Sequence, residues 1–274
     1  MAVKVRQYGM AGPWVVLVHG GPGAGGYLAP LAQALAGSFR VLEPLQRGSG
    51  SEPLTVARHV ADFEEVVNEC CGDARPAIVG HSWGAMLALA HAAAHPDSVR
   101  ALVLIGCGTF DQASRNRMGA ILEERASDDL RRRMACLDVE VSDPDERLRR
   151  SGDLVLPLYS HDLTVATLDT ETCDARAHAE TWQDMLRLQG RGVFPAAFSA
   201  IKAPVLMMHG ANDPHPGRST EAVLRAHLPQ LEYREWERCG HYPWLERAVS
   251  AGFLRTLHEW LSRTTGAPLV SSLR

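Results

Sequence analysis

This sequence lacks long apolar runs, cysteines at CxxC spacing and a surplus of basic charge, and each absence removes a class of protein. The N-terminal text MAVKVRQYGM has no apolar signal core, and the most apolar later stretch, 85–94, is interrupted by His91 and too short to span a bilayer. The spacing of the six cysteines argues against a zinc site or a disulfide framework and predicts reduced thiols in the cytoplasm. A net charge of −4 gives no reason to expect nucleic acid or a membrane surface as a partner.

What is present is an alternation of short β-type runs and helix-like stretches in a chain of 274 residues, 46% of them hydrophobic. Such alternation is typical of an α/β fold with a mostly parallel sheet flanked by helices. The predicted strands are 3–6, 15–18, 40–42, 77–79, 101–105, 205–208 and 231–236. The predicted helices are 27–36, 55–69, 85–95, 220–226 and 245–262.

The alternation stops between residues 111 and 199, where the text is polar and helical and no strand is expected. A structureless connection of this length would be improbable in one domain. We therefore expect a core formed by 1–110 and 200–274, with a helical insertion, 111–199, after the sixth core strand. The last residues, 264–274, are expected to fray.

The stretch IVGHSWGAMLALA, 78–90, predicts a strand, a tight turn and a helix, with Ser82 at the turn. Gly80 and Gly84 complete the G-x-S-x-G pattern of a nucleophile elbow, where side chains at the two glycine positions would collide. The helix N-terminus directs its amides and its positive dipole end toward the serine. This context favours a nucleophilic Ser82 over an accidental Gly-Ser turn.

A serine nucleophile needs a base, and the base needs an orienting acid. Asp213 follows the predicted strand 205–208 and His241 follows 231–236, so both lie at the edge of the sheet where Ser82 is expected. His241 would take the serine proton, and Asp213 would orient the imidazole. Asp111 is the alternative acid, and a turn aspartate before proline is the alternative interpretation of Asp213.

The glycine-rich turn HGGPG, 19–23, follows the predicted strand 15–18 and would lie beside the elbow. The amides of Gly21 and Trp83 are therefore predicted to form an oxyanion hole, and Pro22 holds the residue before it extended. A phosphate-binding loop is the alternative, although the turn has neither a GK[ST] ending nor GxGxxG spacing.

Together these segments resemble the α/β-hydrolase fold, and within it the proline iminopeptidase-like branch. The motifs that stand in family order are HGGPG (19–23), QRGSG (46–50), GHSWG (80–84), the aspartate of HGANDP (209–214) and the histidine of GHYPW (240–244). The resemblance implies a serine hydrolase acting on an ester or amide, with the insertion as a cap over the site. Leu45 departs from the family pattern, because members active on N-terminal proline usually carry aspartate there and a longer cap.

The expected cap holds four candidate substrate-binding residues. Glu180 and Asp184 lie four residues apart on one predicted helix and could bind a substrate ammonium, with a solvated helix face as the alternative. Trp182 and Tyr159 could line an acyl pocket, or could simply pack the cap onto the core.

The other histidines predict no metal site. His91 and His95 are four residues apart on a helix, but the sequence offers neither a third ligand nor the glutamate of a HExxH motif. Arg47 is expected to brace loops near the site. The histidines at strand ends are expected to be buried and structural: His19, His81 and His209.

These observations predict a cofactor-free serine hydrolase that cleaves a small ester or amide through an acyl-enzyme on Ser82. Its substrate is expected to be a small molecule or a short peptide. Three alternatives stay open: a proline iminopeptidase, a carbon–carbon bond hydrolase or perhydrolase with the same triad, and a non-catalytic ligand-binding protein. A serine nucleophile argues against dehalogenase or epoxide-hydrolase chemistry, which in this fold uses an aspartate.

Overall fold

Seven strands form one large sheet. Because most of them run parallel, the residues that follow their carboxyl ends, which include Ser82, Asp213 and His241, lie at the same edge of the sheet. The computed structural model describes residues 3–268. The strands are β1 (Lys4–Tyr8), β2 (Trp14–Val18), β3 (Ala24–Gly25), β4 (Arg40–Leu45), β5 (Ala77–His81), β6 (Ala101–Ile105), β7 (Thr172–Cys173), β8 (Val205–Gly210) and β9 (Leu231–Trp236). The sheet order is β1-β4-β2-β5-β6-β8-β9, with β1 antiparallel to β4 and the other neighbours parallel.

The helices lie between the strands, as the alternating sequence predicts, and the expected α/β fold with a mostly parallel sheet flanked by helices is confirmed. They are α1 (Ala29–Leu35), α2 (Val56–Cys71), α3 (Trp83–Ala94), α4 (Gln112–Arg125), α5 (Asp128–Glu140), α6 (Pro144–Val155), α7 (Ala175–Gly190), α8 (Gly217–Arg225) and α9 (Ser250–Thr265). Within residues 3–268, no helix is both long and apolar enough to cross a membrane.

Three details of the prediction are wrong. The helical segment follows β6, which is the fifth strand of the large sheet rather than the sixth, in agreement with the five strands predicted before residue 111; β3 pairs with β7 outside that sheet. The strand β7 was not expected in the helical segment. The last helix begins at Ser250, because Pro243–Leu245 forms a separate 3₁₀ turn. Of the tail expected to fray, residues 269–274 lie outside the described residues, and α9 continues through Thr265.

The inner strands β2, β5, β6 and β8 are buried on both faces, which explains why they read as continuous apolar runs, whereas the edge strands β1 and β9 are partly exposed and carry polar residues. Along β2, Val16 and Val18 face one core cluster with α2 and α3, whereas Val15 and Leu17 face a second cluster with α1 and α9. Successive strand residues point to opposite faces, so two separate cores hold the same strand in place. The carboxyl ends of β2, β5, β8 and β9 are thereby fixed relative to one another.

The helical segment between β6 and β8 is called here the cap segment, 111–199. Four of its helices begin behind a residue whose side chain accepts a hydrogen bond from a backbone amide of the first turn. These caps satisfy amides that have no partner inside the helix and explain where α4, α5, α6 and α7 start. The capping residues are Asp111, Ser127, Asp143 and Asp174.

Candidate active site

Ser82 lies in a strained turn between β5 and α3, where the sequence places a nucleophile elbow. Its φ of 56° and ψ of −120° are unfavourable for a residue with a side chain. The turn is held by the Ser82 amide, which donates to the carbonyl of Ile105 at 2.8 Å. Because α3 starts at Trp83, the helix N-terminus lies directly beside the serine.

The glycines around the elbow are required by close backbone contacts. A Cβ on Gly80 would lie 2.4 Å from the carbonyl oxygen of Gly84, and a Cβ on Gly84 would lie 2.0 Å from that of Val18. A Cβ on Gly20, in the HGGPG turn, would lie 2.7 Å from the Ser82 Cβ. The turn after β2 therefore packs directly against the serine, as the spacing of both motifs predicts.

Asp213 and His241 form a buried hydrogen-bonded pair. The distance from His241 Nδ1 to Asp213 Oδ2 is 2.6 Å, and the carboxylate is fully buried. Burial by itself raises the pKa of Asp213, but the imidazoles of His241, His209 and His215 outweigh it and hold the pKa well below its ordinary value. The carboxylate is therefore ionised and accepts a hydrogen bond from Nδ1–H, which leaves the unprotonated Nε2 of a neutral His241 as a base.

Asp111, the alternative acid, lies elsewhere and has a different role. Its carboxylate accepts from the backbone amide of Ser114 at 2.8 Å and from the hydroxyl of Ser114 at 2.6 Å. Both contacts cap the first turn of α4, so the carboxylate is engaged away from His241.

His215 is a site residue that the sequence analysis missed. Its Nδ1 donates to Asp213 Oδ1 at 3.0 Å, and its backbone amide donates to the same oxygen at 2.9 Å. Its ring stacks on that of His241 with centroids 4.7 Å apart and planes 17° apart. One carboxylate thus orients two parallel imidazoles. The spacing Asp-Pro-His was the available signal, since a histidine two residues after the acid can turn back to it.

These three side chains also bring potential metal-ligand atoms within 4.8 Å of one another. The hydrogen bonds account for that proximity, because each Nδ1 shares its proton with one oxygen of Asp213. The donor set therefore fits a proton network, in which both rings are oriented by one acid.

A chain of hydrogen bonds links the HGGPG turn to the loop that carries His241. The Gly20 amide donates to the Tyr27 hydroxyl at 2.6 Å, and that hydroxyl lies 2.6 Å from His81 Nδ1. His81 Nε2 lies 2.9 Å from the carbonyl of His241. A carbonyl can only accept, so Nε2 carries the proton and Nδ1 accepts from Tyr27. Burial and the neighbouring His241 lower the pKa of His81 well below its ordinary value, consistent with this neutral form.

The loop of His241 is also tied to the cap segment. The His241 amide donates to the carbonyl of Tyr159 at 2.7 Å. The buried carboxylate of Glu246 accepts from the amides of Gly240 at 2.8 Å, His161 at 2.8 Å and Asp162 at 2.6 Å. Two segments far apart in sequence therefore position the candidate base together.

A cavity of about 600 Å³ lies between the cap segment and the carboxyl end of the sheet. Ser82 and His241 line it, together with Gly21 and Trp83, the residues predicted for the oxyanion hole. Gly21 adopts a φ of 50° in the HGGPG turn, so the prediction that Pro22 holds it extended is wrong; a glycine can take this left-handed conformation without a Cβ clash. Tyr159 and Trp182, the two candidates for an acyl pocket, also line the cavity.

Glu180 and Asp184, the candidates for binding a substrate ammonium, lie away from the cavity. Neither is among the cavity-lining residues of the described chain. Glu180 accepts from the Leu54 amide at 2.8 Å, and Asp184 accepts from the Val56 amide at 2.8 Å. Both carboxylates project from α7 toward the start of α2 and hold that helix terminus, where negative charge is favourable.

The remaining predicted residues are structural. Arg47 forms an ion pair with Asp62 of α2, with its Nη2 2.6 Å from Oδ1, and so braces the loop after β4. His91 donates toward Glu64 at 2.7 Å, and burial lowers its pKa to about 4. Three histidines at strand ends are buried, as expected: His19, His81 and His209.

Gly106 supports the acid–base pair in a way that the sequence analysis missed. A Cβ at this position would lie 2.8 Å from Nδ1 of His241 and 3.2 Å from Oδ2 of Asp213. Its φ of 53° also favours glycine. The turn after β6 therefore passes directly over the hydrogen bond between acid and base.

The fold and the site geometry define a hydrolase of the α/β type, and comparison with known proteins agrees. The chain belongs to the alpha/beta hydrolase fold family, whose model matches residues 13–248. Its relatives and structural neighbours are hydrolases, so the chain is an enzyme of this class.

Individual relatives differ in the reactions that their names describe. The chain is 28% identical over 269 residues to 2-hydroxy-6-oxononadienedioate/2-hydroxy-6-oxononatrienedioate hydrolase 2 of Pseudomonas putida, covering 90% of this chain and 88% of the relative. It is 28% identical over 252 residues to the pimeloyl-(acyl-carrier protein) methyl ester esterase of Aromatoleum aromaticum, covering 88% and 96%. It is 37% identical over 123 residues to the proline iminopeptidase of Neisseria gonorrhoeae, covering 39% and 37%.

Among solved structures, VinJ superposes with a TM-score of 0.69 at 18% identity, covering 95% of this chain and 94% of that one. At this identity the likeness supports the fold alone.

Proposed function

We propose that this protein is a serine hydrolase that cleaves a small ester or amide through an acyl-enzyme on Ser82. The observation that carries the proposal is the strained elbow serine lining the same cavity as His241, whose Nδ1 is bonded to the buried Asp213. Acyl transfer by a serine requires an exposed nucleophile and a base to take its proton. Here the elbow places Ser82 at a helix N-terminus, and Asp213 orients a neutral imidazole that can act as the base.

The chemistry proceeds in two balanced steps. His241 Nε2 takes the Ser82 proton as Oγ attacks the carbonyl carbon, and then gives that proton to the leaving alcohol or amine. In the second step, His241 takes a proton from water as the water oxygen attacks the acyl carbon, and it returns that proton to Ser82 Oγ as the ester bond breaks and the acid leaves. Asp213 stabilises the transient imidazolium by its negative charge and by accepting the hydrogen bond from Nδ1–H.

The oxyanion of each tetrahedral intermediate is assigned to the amides of Gly21 and Trp83. Both residues line the cavity next to Ser82, and Trp83 begins α3, where helix amides lack internal partners. We divide the chain accordingly into a catalytic core, 1–110 and 200–274, and a cap, 111–199. The cavity lies between the two and takes residues from both.

A small-molecule substrate suits a cavity of about 600 Å³, which is in the range of ordinary ligand sites. The six free cysteines support a reducing compartment, and we place the enzyme in the cytoplasm. Neither nucleic acid nor a membrane is required as a partner.

Carbon–carbon bond hydrolysis and perhydrolysis use the same constellation and are the second candidates. A proline iminopeptidase is less well supported, because Glu180 and Asp184 bind backbone amides rather than facing the cavity.

Labelling with a fluorophosphonate tests the proposed nucleophile directly. Intact-mass spectrometry is expected to show one adduct on the wild-type protein and none on Ser82→Ala, because only an activated serine reacts at a useful rate. A folded wild-type protein without an adduct, or an adduct that persists on Ser82→Ala, would contradict the assignment.

The paired imidazoles on Asp213 predict a specific pH dependence. Burial lowers the pKa of His241, Asp213 raises it, and His215 and His209 lower it further. Replacing His215 by glutamine removes the charge that a protonated ring would place 4.7 Å from His241, while an amide can still donate to Asp213. The general base acts when neutral, so activity is lost as pH falls through its pKa. We expect the acid limb of kcat/KM to move up by about 0.5–1 pH unit.

The measurement is kcat/KM against pH for the wild type, His215→Gln and the control His178→Gln. His178 lines the same cavity but bonds the carbonyl of Pro22 at 3.0 Å, so its replacement should leave the acid limb unchanged. A limb that stays in place or moves down in His215→Gln would contradict the expectation.

The titratable side chains that face His241 are Asp213, His209, His215, His81, Tyr159 and Tyr242.

A further inference from the structure

The charges that line the cavity are unequally compensated. Arg149 donates to both oxygens of Glu146 at 2.7 Å and to Asp153 at 3.1 Å, so this arginine lies among carboxylates. Arg115 lines the same cavity, but within residues 3–268 no carboxylate oxygen lies within the 4.0 Å of an ion pair from its guanidinium.

Arg115 is held in place by neutral groups. Its Nη1 donates to Oε1 of Gln189, and its Nη2 donates to Oε1 of Gln112 at 3.2 Å. Gln189 is itself 9% exposed and donates to the carbonyl of Thr109 at 3.0 Å, which anchors it to the loop after β6. The guanidinium is therefore oriented by amide oxygens while its positive charge is left without a counter-charge.

The surroundings of Arg115 indicate where a ligand would lie. Arg115, Met118 and Leu122 follow one another at helical spacing on the side of α4 that lines the cavity. Met86 of α3 lines the cavity from the core side, near the elbow of Ser82. Apolar side chains from both segments thus line the cavity that also holds the cationic group and the candidate nucleophile.

A guanidinium beside an apolar cavity gains most from a carboxylate that reaches it with two oxygens. Arginine carries five N–H donors in a planar fork, and amide acceptors occupy two of them. Charge-assisted bidentate bonds are about twice as strong as neutral ones, and they strengthen where water is displaced. The site is thus pre-oriented for an anionic oxygen group.

We propose that Arg115 binds a carboxylate carried by the substrate at the end of an apolar chain, with the scissile ester or amide at the other end. This inference rests on the proposed function at Ser82. It names the substrate class as half-esters or half-amides of dicarboxylic acids, and it excludes the N-terminal ammonium for which Glu180 and Asp184 had seemed suited. Those two carboxylates lie off the cavity, and the charge that the cavity leaves uncompensated is positive.

The first test compares aryl half-esters of dicarboxylic acids with the matching diesters, in which the far carboxylate is methylated, over a series of chain lengths. The wild type is expected to favour the half-ester by about 10- to 100-fold in kcat/KM at the best length. Arg115→Gln is expected to remove that preference, measured as the ratio of kcat/KM for the half-ester to kcat/KM for the matching diester. Arg149→Gln is the matched control and should keep the preference, because its charge is already compensated.

A second variant keeps the test valid if Arg115→Gln folds poorly. Arg115→Lys retains the charge without the fork and should keep part of the preference, whereas Arg115→Glu should favour an ester with an amine at its far end. A wild type that prefers the neutral diester, or an Arg115→Gln protein that keeps the full preference, would overturn the proposal.

Binding to the inactive Ser82→Ala protein separates this proposal from the proposed function. Isothermal titration calorimetry is expected to show that adipate binds Ser82→Ala. The affinity should be at least about tenfold weaker in the double variant that carries both Ser82→Ala and Arg115→Gln. If the wild type is labelled by the fluorophosphonate but Ser82→Ala does not bind adipate, the carboxylate site is overturned and the proposal of a serine hydrolase stands. Adipate binding without labelling would support the site and overturn the hydrolase mechanism. Tighter binding of inorganic phosphate than of adipate would overturn the choice of a carboxylate.

Discussion

Replacing Ser82 by alanine is expected to lower kcat/KM for ester cleavage by about 10,000-fold or more. Without Oγ, no acyl-enzyme can form, and the cavity retains only substrate binding and the oxyanion amides. The residual rate over water should reflect those two contributions. Steady-state turnover of an activated ester at a fixed neutral pH provides the measurement, with thermal unfolding to show that the variant is folded.

Ser151 offers a matched control, because it lines the same cavity but lies within α6 and not in a turn between a strand and a helix. Its replacement by alanine should change kcat/KM by less than about threefold. If Ser82→Ala retained a tenth of the wild-type turnover, the nucleophile would have to be a different group.

The second large effect is expected for Asp213→Asn, about 10,000-fold in kcat/KM. The amide would have one accepting and one donating atom where the carboxylate accepts from both imidazoles and from the His215 amide. Two donors of His215 meet at Oδ1, so the amide oxygen should take that position. The amide NH₂ would then face Nδ1 of His241 and force the proton onto Nε2, which removes the base.

This substitution can be followed by the pH profile and by proton NMR, where the downfield resonance of a His241 Nδ1–H bonded to a carboxylate should disappear. Asp111→Asn is the control, since asparagine also caps helices well and α4 should keep its start. Loss of turnover in Asp111→Asn with turnover retained in Asp213→Asn would reverse the assignment of the acid.

The parts of the molecule that could be predicted from sequence are those set by local backbone geometry. A G-x-S-x-G turn between an apolar strand and a helix needs glycine wherever a Cβ would touch the next segment, and Gly80 and Gly84 show such contacts. The inner strands are buried on both faces, so their apolar runs marked them clearly. Parallel pairing then brought the segments after β5, β8 and β9 to one edge of the sheet.

The sequence by itself therefore determined the sheet, the turn of Ser82 and the order of the candidate acid and the candidate base along the chain. Only the tertiary structure decided what the other polar side chains contact. Helical spacing put Glu180 and Asp184 on one face of α7, but the packing of that helix turned the face toward the start of α2 and away from the cavity. The same packing left Arg115 at the cavity with neutral partners, and the loop after β8 turned His215 back onto Asp213. Periodicity specifies which residues share a face, whereas the direction of that face depends on contacts between segments far apart in the chain.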